Sequence, residues 1–264
     1  MLDLLTIVWG RMVDFYVNFT LPSILSKENL PAIKNDVSQY TFYASEPAKE
    51  VIRVNPLYVK LESLTSVVWN KVTKYQTTCY ILEQMKRLVP LQNYLVLIPP
   101  DNVWSDGSLQ TIAEIAQSRH NPILYPIAKT YPCAFAAIRD EIRANDGISS
   151  SKLVTLTMQH FCPAGIYVSG RKGNTWVLTY RVPTPIFIPD EKITEVFSTN
   201  NTPFSGFDHV LPFYLIKGGY NGVLLRQSKG FFVNEFFTFR GGLKDRVWQK
   251  ELAIEAEQFF SQYQ

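Results

Sequence analysis

The stretch YLVLIPPDNVWSDGSLQTIAEIA, from Tyr94 to Ala116, combines an apolar run, two prolines and a polar segment. The run NYLVLI, Asn93–Ile98, is apolar after its first residue, as is typical of strands buried inside a parallel sheet between helices. Pro99 and Pro100 end this run, and polar side chains follow. From Ser108 onward, the spacing of the apolar residues predicts a helix. The stretch therefore predicts a buried strand, a polar loop and a helix, in that order.

The same alternation runs through the first half of the chain. We predict strands at Leu4–Trp9, Tyr40–Ser45, Asn93–Ile98 and near Tyr58, and helices at Arg11–Ser26, Thr73–Val89 and Ser108–Arg119. This alternation favours an α/β fold with a mostly parallel central sheet and helices on both faces. Right-handed crossovers then bring the carboxyl ends of the strands to one edge of the sheet, where ligands bind. We expect Gly10, Ser45 and Asp101 at that edge.

The second half of the chain is less regular. Short strands are predicted in PILYPI, TWVLTYRV and PIFIP, a helix at Ser149–Phe161, a hairpin within FYLIKGGYNGVLLRQ and a closing helix at Val247–Phe260. Glycines between two apolar runs are the signal for the hairpin. No repeat or long polar linker separates the halves, so we predict a single domain over residues 1–264.

Composition excludes several classes of protein. Lys and Arg number 26 against 23 Asp and Glu, a net charge of +3 that is too small for a nucleic-acid-binding protein. Cys79, Cys133 and Cys162 lack CxxC spacing, which argues against a disulfide framework or a zinc site and favours the reducing cytoplasm. The amino terminus lacks the pattern of a secretory signal, and no apolar run is long enough to span a bilayer. Peripheral contact with the inner membrane stays open.

The polar loop after Pro100 has two interpretations. Asp, Asn, Ser and Gly build turns and helix caps, and Ser105 or Asp106 is placed to cap the helix from Ser108. That interpretation leaves Asp101 without a role. Alternatively, the carboxylates hold Mg²⁺ or Mn²⁺, whose coordination shell is completed by phosphate oxygens of a substrate.

Four segments together resemble a family of bacterial glycosyltransferase-like proteins. They are IVWG at Ile7–Gly10, LPSILSKENLPAI at Leu21–Ile33, YTFYAS at Tyr40–Ser45 and IPPDNVWSDGSL at Ile98–Leu109. Their order and spacing match that family over about the first 130 residues, whereas the rest of the chain matches it poorly. The resemblance implies the nucleotide-diphospho-sugar transferase fold called GT-A. It also implies that residues 1–145 bind the nucleotide sugar and that residues 146–264 form the acceptor side.

Carried over position by position, the resemblance implies roles for residues at the strand ends. The implied nucleotide-sugar contacts are Val8, Trp9, Gly10, Tyr43, Ser45, Asp101 and Asn102. Asp101 is also an implied ligand of the divalent cation, and Asp106 an implied contact of the sugar in catalysis. Trp9 could instead belong to the core. Tyr43 and Ser45 could instead belong to a half-buried strand that ends in a loop cap. The usual DxD spelling is absent, because Asp101 is followed by Asn102 and Val103.

In the second half, the adjacent Asp208 and His209 are further candidates. The resemblance implies a carboxylate that deprotonates the acceptor hydroxyl, here Asp208, and a late histidine that binds the cation, here His209. We therefore predict a glycosyltransferase of polysaccharide biosynthesis that moves a sugar from a nucleotide diphosphate to a glycan or lipid-linked acceptor. The alternative is a non-catalytic module that binds nucleotide sugars or glycans. Nucleotidyl transfer ranks last, because VWGRMVDF lacks a glycine-rich phosphate loop.

Overall fold

A computed structural model describes residues 1–74, 76–119, 121–125, 127–130, 132–159, 166–172, 175–180, 184–200, 223–224 and 232–235. The strands are β1 (Leu2–Val8), β2 (Val37–Ala44), β3 (Val67–Lys71), β4 (Tyr94–Leu97), β5 (Asn102–Trp104), β6 (Ile123–Tyr125), β7 (Ile127–Thr130), β8 (Ile166–Lys172), β9 (Thr175–Tyr180), β10 (Thr184–Ile186), β11 (Val223–Leu224) and β12 (Phe232–Glu235). The α-helices are α1 (Met12–Phe15), α2 (Leu21–Ile24), α3 (Glu46–Val54), α4 (Pro56–Leu64), α5 (Thr77–Leu88), α6 (Ser108–Gln117), α7 (Phe135–Asn145), α8 (Ser150–Gln159) and α9 (Glu191–Asn200). A π-helical turn, Tyr16–Thr20, joins α1 to α2, and short 3₁₀ turns lie at Leu30–Ile33, Val89–Leu91 and Pro132–Ala134.

Four strands form the central sheet in the order β3-β2-β1-β4. Every neighbouring pair in it is parallel, so the carboxyl ends of all four strands share one edge. The chain moves outward from β1 to β2 and β3, and then returns to place β4 on the other side of β1. The predicted α/β fold with a parallel central sheet is confirmed.

Helices cover both faces of this sheet. Alternate residues of β1 enter different apolar clusters, because successive side chains of a strand point to opposite faces. Leu4 and Val8 pack with residues of α2, α3, α4 and α6, whereas Leu5 and Ile7 pack with residues of α5 and α9. Burial on both faces explains the continuous apolar runs of β1 and β4.

The smaller sheets contain antiparallel pairs. β5 pairs antiparallel with β12, which also pairs parallel with β7. β6 lies between β10 and β11, and β8 pairs antiparallel with β9. This mixture confirms the irregular second half. The predicted hairpin lies largely outside the described residues, and the predicted closing helix lies outside them entirely.

The strand predicted near Tyr58 is wrong, because this residue lies in α4. The side chain of Asn55 accepts a hydrogen bond from the amide of Leu57 and so caps the helix that Pro56 begins. Tyr58 and Leu61 are buried on one side of that helix. The strand of this region is β3, whose residues are half-buried or exposed at the edge of the sheet.

Candidate functional site

The carboxyl edge of the central sheet brings together three of the predicted segments. Trp9 and Gly10 follow β1, Ser45 follows β2, and the segment from Ile98 to Asp101 follows β4. The amide of Ser45 donates to the carbonyl of Val8 at 3.3 Å, which joins the ends of β1 and β2. The order of the sheet reverses between β1 and β4, and ligands of open α/β sheets bind at such a switch point. The expectation that Gly10, Ser45 and Asp101 share this edge is confirmed.

Gly10 is exposed beside the switch point and adopts a left-handed backbone conformation, with φ of +56°. A Cβ atom at this position would meet no other atom within 4 Å. Glycine therefore suits the position because of its backbone angles. In residues with a Cβ atom, the left-handed conformation costs free energy. The open space next to this backbone is where a ligand can approach.

Three other predicted contacts belong in part to the core. Val8 is fully buried, and Trp9 packs partly buried against the cluster that contains Leu5 and Ile7. Tyr43 is 4% exposed, and its ring centroid lies 4.6 Å from that of Tyr80. These positions fit the core alternative weighed for Trp9, and the predicted nucleotide contacts of Val8, Trp9 and Tyr43 stay predictions.

Tyr80 also fixes the loop that follows β3. Its hydroxyl accepts hydrogen bonds from the amides of Thr73 and Lys74, each at 2.7 Å, and lies 2.9 Å from the carbonyl of Lys74. Burial raises the pKa of the neighbouring Tyr43 hydroxyl well above its ordinary value, and nearby Glu83 raises it further. Tyr43 therefore stays neutral throughout the physiological pH range.

The loop between β4 and β5 carries Asp101, which is half-buried. The amide of Ile98 donates to Leu5 of β1 at 2.7 Å, and the amide of Asn102 donates to Pro99 at 3.2 Å. These bonds anchor the loop at both ends and present Asp101 at the switch point.

Two buried threonines bind the carbonyls of this loop, and sequence reasoning missed both. The hydroxyl of Thr6 donates to Ile98 at 2.8 Å. The hydroxyl of Thr20 lies 2.8 Å from the carbonyl of Pro100 and 2.7 Å from that of Asn102. A threonine in an apolar run gives no sign of its partner when that partner is remote in sequence.

The side-chain amide of Asn102 is buried and has no hydrogen-bond partner in the described part of the chain. It is 0% exposed, and neither its Nδ2 nor its Oδ1 atom makes a hydrogen bond. Its strand places it opposite Asn234 of β12. An unsatisfied buried amide destabilises a fold, so its presence beside Asp101 calls for an explanation.

Asp106 has a structural role in the segment between β5 and α6. Its Oδ1 accepts a hydrogen bond from the amide of Ile148 at 3.1 Å, while its own amide donates to the carbonyl of Ile148 at 2.8 Å. These two bonds fasten the segment before α8 to the segment before α6. The predicted sugar contact of Asp106 stays a prediction.

The predicted cap of α6 is wrong. Neither Ser105 nor Asp106 caps this helix. Gly107 occupies the cap position with φ of +76°, and it has no side chain that could accept a hydrogen bond from the helix. Instead, the amide of Leu109 donates to Oδ1 of Asn29 at 3.0 Å. A residue remote in sequence thus supplies the acceptor that a local cap usually provides.

Asn29 and Ser23 join two of the segments that carry the family resemblance. Nδ2 of Asn29 donates to the carbonyl of Ser105 at 3.1 Å, and Oγ of Ser23 accepts from the amide of Trp104 at 3.1 Å. Both side chains are 0% exposed. The segment at Leu21–Ile33 therefore supports the end of β5 and the start of the segment that bears Asp106.

Within the described ranges, no three His, Cys, Asp or Glu side chains come close enough together to hold a metal ion. Asp208 and His209 lie outside those ranges, so their predicted roles stay predictions. None of the described helices combines the length and the apolar character needed to cross a bilayer.

Comparisons with known proteins give structural likenesses only. No family model and no curated protein matches the chain. A 4-diphosphocytidyl-2C-methyl-D-erythritol synthase from Anaerococcus prevotii is 9% identical with a TM-score of 0.48, over 94% of each chain. A putative glucose-1-phosphate thymidylyltransferase from Bacillus anthracis, in complex with a sucrose, is 10% identical with a TM-score of 0.48, over 96% of this chain and 95% of that one.

The mannosyltransferase PcManGT from Pyrobaculum calidifontis, in complex with GDP-Man and Mn²⁺, is also similar. It is 9% identical with a TM-score of 0.47, and the match covers 94% of this chain and 60% of that one. Likenesses this distant carry no argument about activity.

Proposed function

We propose that the chain is a transferase that binds a nucleotide-diphosphate sugar at the switch point between β1 and β4. We propose further that it moves the sugar to a glycan or lipid-linked acceptor. The observation that carries this proposal is that Gly10 follows β1 and Asp101 follows β4, at the carboxyl ends of two adjacent parallel strands. Exposed backbone on one side and a carboxylate on the other suit a diphosphate that is held directly or through a cation.

In this proposal each side of the switch point has its own task. The open backbone at Gly10 admits the diphosphate closely, since no side chain stands there. Ser45, half-buried at the end of β2, contacts the ribose or base. In the transfer, the bond between the anomeric carbon and the diphosphate oxygen breaks, and the acceptor oxygen bonds to that carbon. Asp208 is the proposed base that removes the acceptor proton.

A divalent cation suits the donor atoms at this edge. Asp101 offers hard carboxylate oxygens, and phosphate oxygens of the donor can complete the coordination of Mg²⁺ or Mn²⁺. Such a cation would neutralise charge that develops on the departing diphosphate. His209 is the proposed second protein ligand.

A non-catalytic binding module is the second candidate. It is favoured by the departure from the usual DxD spelling, because Asp101 is followed by Asn102 and Val103. Binding of a nucleotide sugar without release of the nucleotide, even with an acceptor extract present, would favour the module over the transferase.

The proposal is tested by replacing Asp101 with alanine. UDP-glucose, GDP-mannose and TDP-glucose are titrated with manganese, and both binding and nucleotide release are measured. We expect Asp101→Ala to weaken binding by at least about tenfold. This is the usual loss when a side chain that supports a metal site is removed. Unchanged binding and turnover would overturn the proposed site.

Asp36→Ala is the matched control. Asp36 is also a half-buried aspartate, but it precedes β2 and so lies at the amino edge of the sheet. We expect this variant to bind the nucleotide sugar as the unmodified chain does. Equal losses in both variants would indicate a general effect on the fold.

A further inference from the structure

We infer that Thr20 is a positioning residue for Asp101, an inference that rests on the proposed function. Thr20 is 0% exposed, and its hydroxyl lies within hydrogen-bond distance of the carbonyls of Pro100 and Asn102. These two carbonyls belong to the residues on either side of Asp101. The hydroxyl therefore reaches across the one residue whose side chain the proposed site needs.

This bridge restricts the direction of the Asp101 side chain. The hydroxyl has one hydrogen, which the two carbonyls share at 2.8 and 2.7 Å. The orientations of the peptide groups around a residue fix the direction of its Cα–Cβ bond. Through the Pro100 carbonyl, Thr20 holds the peptide group before Asp101, and the bond from the Asn102 amide to Pro99 holds the peptide group after it. The Asn102 carbonyl, which Thr20 also contacts, fixes the next peptide group along the chain. These bonds limit where the Asp101 carboxylate can go, and a preorganised ligand-binding group loses less freedom on binding.

A second set of buried hydroxyls holds the start of the same loop. Thr6 donates its hydrogen to the carbonyl of Ile98, so in its contact with Tyr40 at 2.7 Å it accepts. Tyr40 therefore donates to Thr6, and in its contact with Tyr16 at 3.1 Å it accepts from the Tyr16 hydroxyl. The donors run in one direction, from Tyr16 through Tyr40 and Thr6 to the loop.

Both sets of contacts begin in the same element, the π-helical turn Tyr16–Thr20. Tyr16 is its first residue and acts on Ile98 through the hydroxyl chain, while Thr20 is its last residue and acts directly on Pro100 and Asn102. Single π-helical turns are rare and are frequently found at functional sites. Here the turn supports alternate carbonyls of the loop from its two ends.

A buried hydroxyl bonded to a carbonyl can also serve stability alone, so the test must separate the two roles. Thr20→Val keeps the shape of the side chain and removes the hydroxyl, whereas Thr20→Ser keeps the hydroxyl and removes a methyl group. Both variants are expected to lose some stability. Only Thr20→Val loses the contacts to the two carbonyls.

Two quantities are measured on the full chain. The first is the affinity for whichever of UDP-glucose, GDP-mannose and TDP-glucose binds with manganese, and the second is the rate of hydrogen exchange at the amides of residues 101–106. Thr20→Val should weaken binding by roughly tenfold, the scale seen when a group that orients a ligand is removed. It should also speed exchange in that segment. Thr20→Ser should restore both values to near those of the unmodified chain.

Thr194→Val is the control for loss of a buried hydroxyl. Thr194 is 8% exposed and donates to the carbonyl of Asp190 at 2.7 Å, at the start of α9. This variant should leave both the affinity and the exchange of residues 101–106 unchanged.

The outcomes separate the inference from the proposed function. If Asp101→Ala weakens binding and Thr20→Val does not, the inference about Thr20 is overturned and the proposed function stands. If no probe binds the unmodified chain, the proposed function fails, while exchange still tests the contact between Thr20 and the loop. Unchanged exchange in Thr20→Val overturns the inference in either case.

Discussion

Asn102 and Asn29 are both fully buried amides near the loop after β4, yet their surroundings differ. Asn29 bonds through both side-chain atoms, to Ser105 and to Leu109 among others. Asn102 makes no side-chain hydrogen bond within the described residues. Burying a polar group without a partner costs free energy, so Asn102 reduces stability where Asn29 adds to it.

Replacing Asn102 with leucine should therefore stabilise the chain. The change removes two unsatisfied atoms and adds apolar volume, and we expect the free energy of unfolding to rise by about 1 to 2 kcal/mol. Chemical denaturation measures this directly. If Asn102 contacts the nucleotide sugar, the same variant binds the donor more weakly while being more stable.

Asn29→Leu serves as the opposite control. Because several hydrogen bonds are lost there, we expect the free energy of unfolding to fall by at least about 2 kcal/mol. A fall of similar size in Asn102→Leu would show that the Asn102 amide has a stabilising partner.

At the scale of elements, β1 and α5 are joined by a buried charge. Asp3 of β1 is 1% exposed, and it accepts hydrogen bonds from Asn93 at 2.7 Å and from Arg87 of α5 at 3.3 Å. Burial raises the pKa of the Asp3 carboxyl above its ordinary value of 3.8, although both partners lower it. The cost of burying the charge therefore outweighs the attraction to Arg87, whose side chain is 41% exposed to solvent.

This shift predicts how stability depends on pH. A carboxyl whose pKa is higher in the folded chain favours folding most at low pH, and this contribution is lost as the pH rises through the folded pKa. The free energy of unfolding of the unmodified chain, minus that of Asp3→Asn, should fall as the pH rises from 3.8 through the raised pKa. Chemical denaturation of the unmodified chain and of Asp3→Asn across this pH range measures this difference. A difference that grows with pH would mean that Arg87 dominates instead.

The elements differ in how well the sequence predicts them. β1, β2, β4, α5 and α6 follow from apolar runs and helical spacing, because burial on one or both faces dictates those patterns. β3 was missed because an edge strand is only partly buried, and its sequence VVWNK has no clear alternation. The segment of α4 resembles a strand in sequence, because the apolar residues Leu57, Tyr58 and Leu61 fit either a short strand or a short helix.

At the scale of the whole molecule, the position of the candidate site follows from the order of the strands. The sequence predicts that Gly10, Ser45 and Asp101 share an edge, since this requires only parallel strands. It does not reveal that β4 lies directly beside β1, which is what brings Gly10 and Asp101 to one switch point. The contacts of Thr20 and Asn29 with the loop are equally hidden, because their partners lie far away along the chain.

A structure of the chain with a bound nucleotide-diphosphate sugar and manganese tests the central claim most directly. We expect the diphosphate to lie outside the carboxyl ends of β1 and β4, between the backbone of Gly10 and the carboxylate of Asp101. A diphosphate bound elsewhere on the chain, with the Asp101 carboxylate in contact neither with it nor with the cation, would overturn the proposed site.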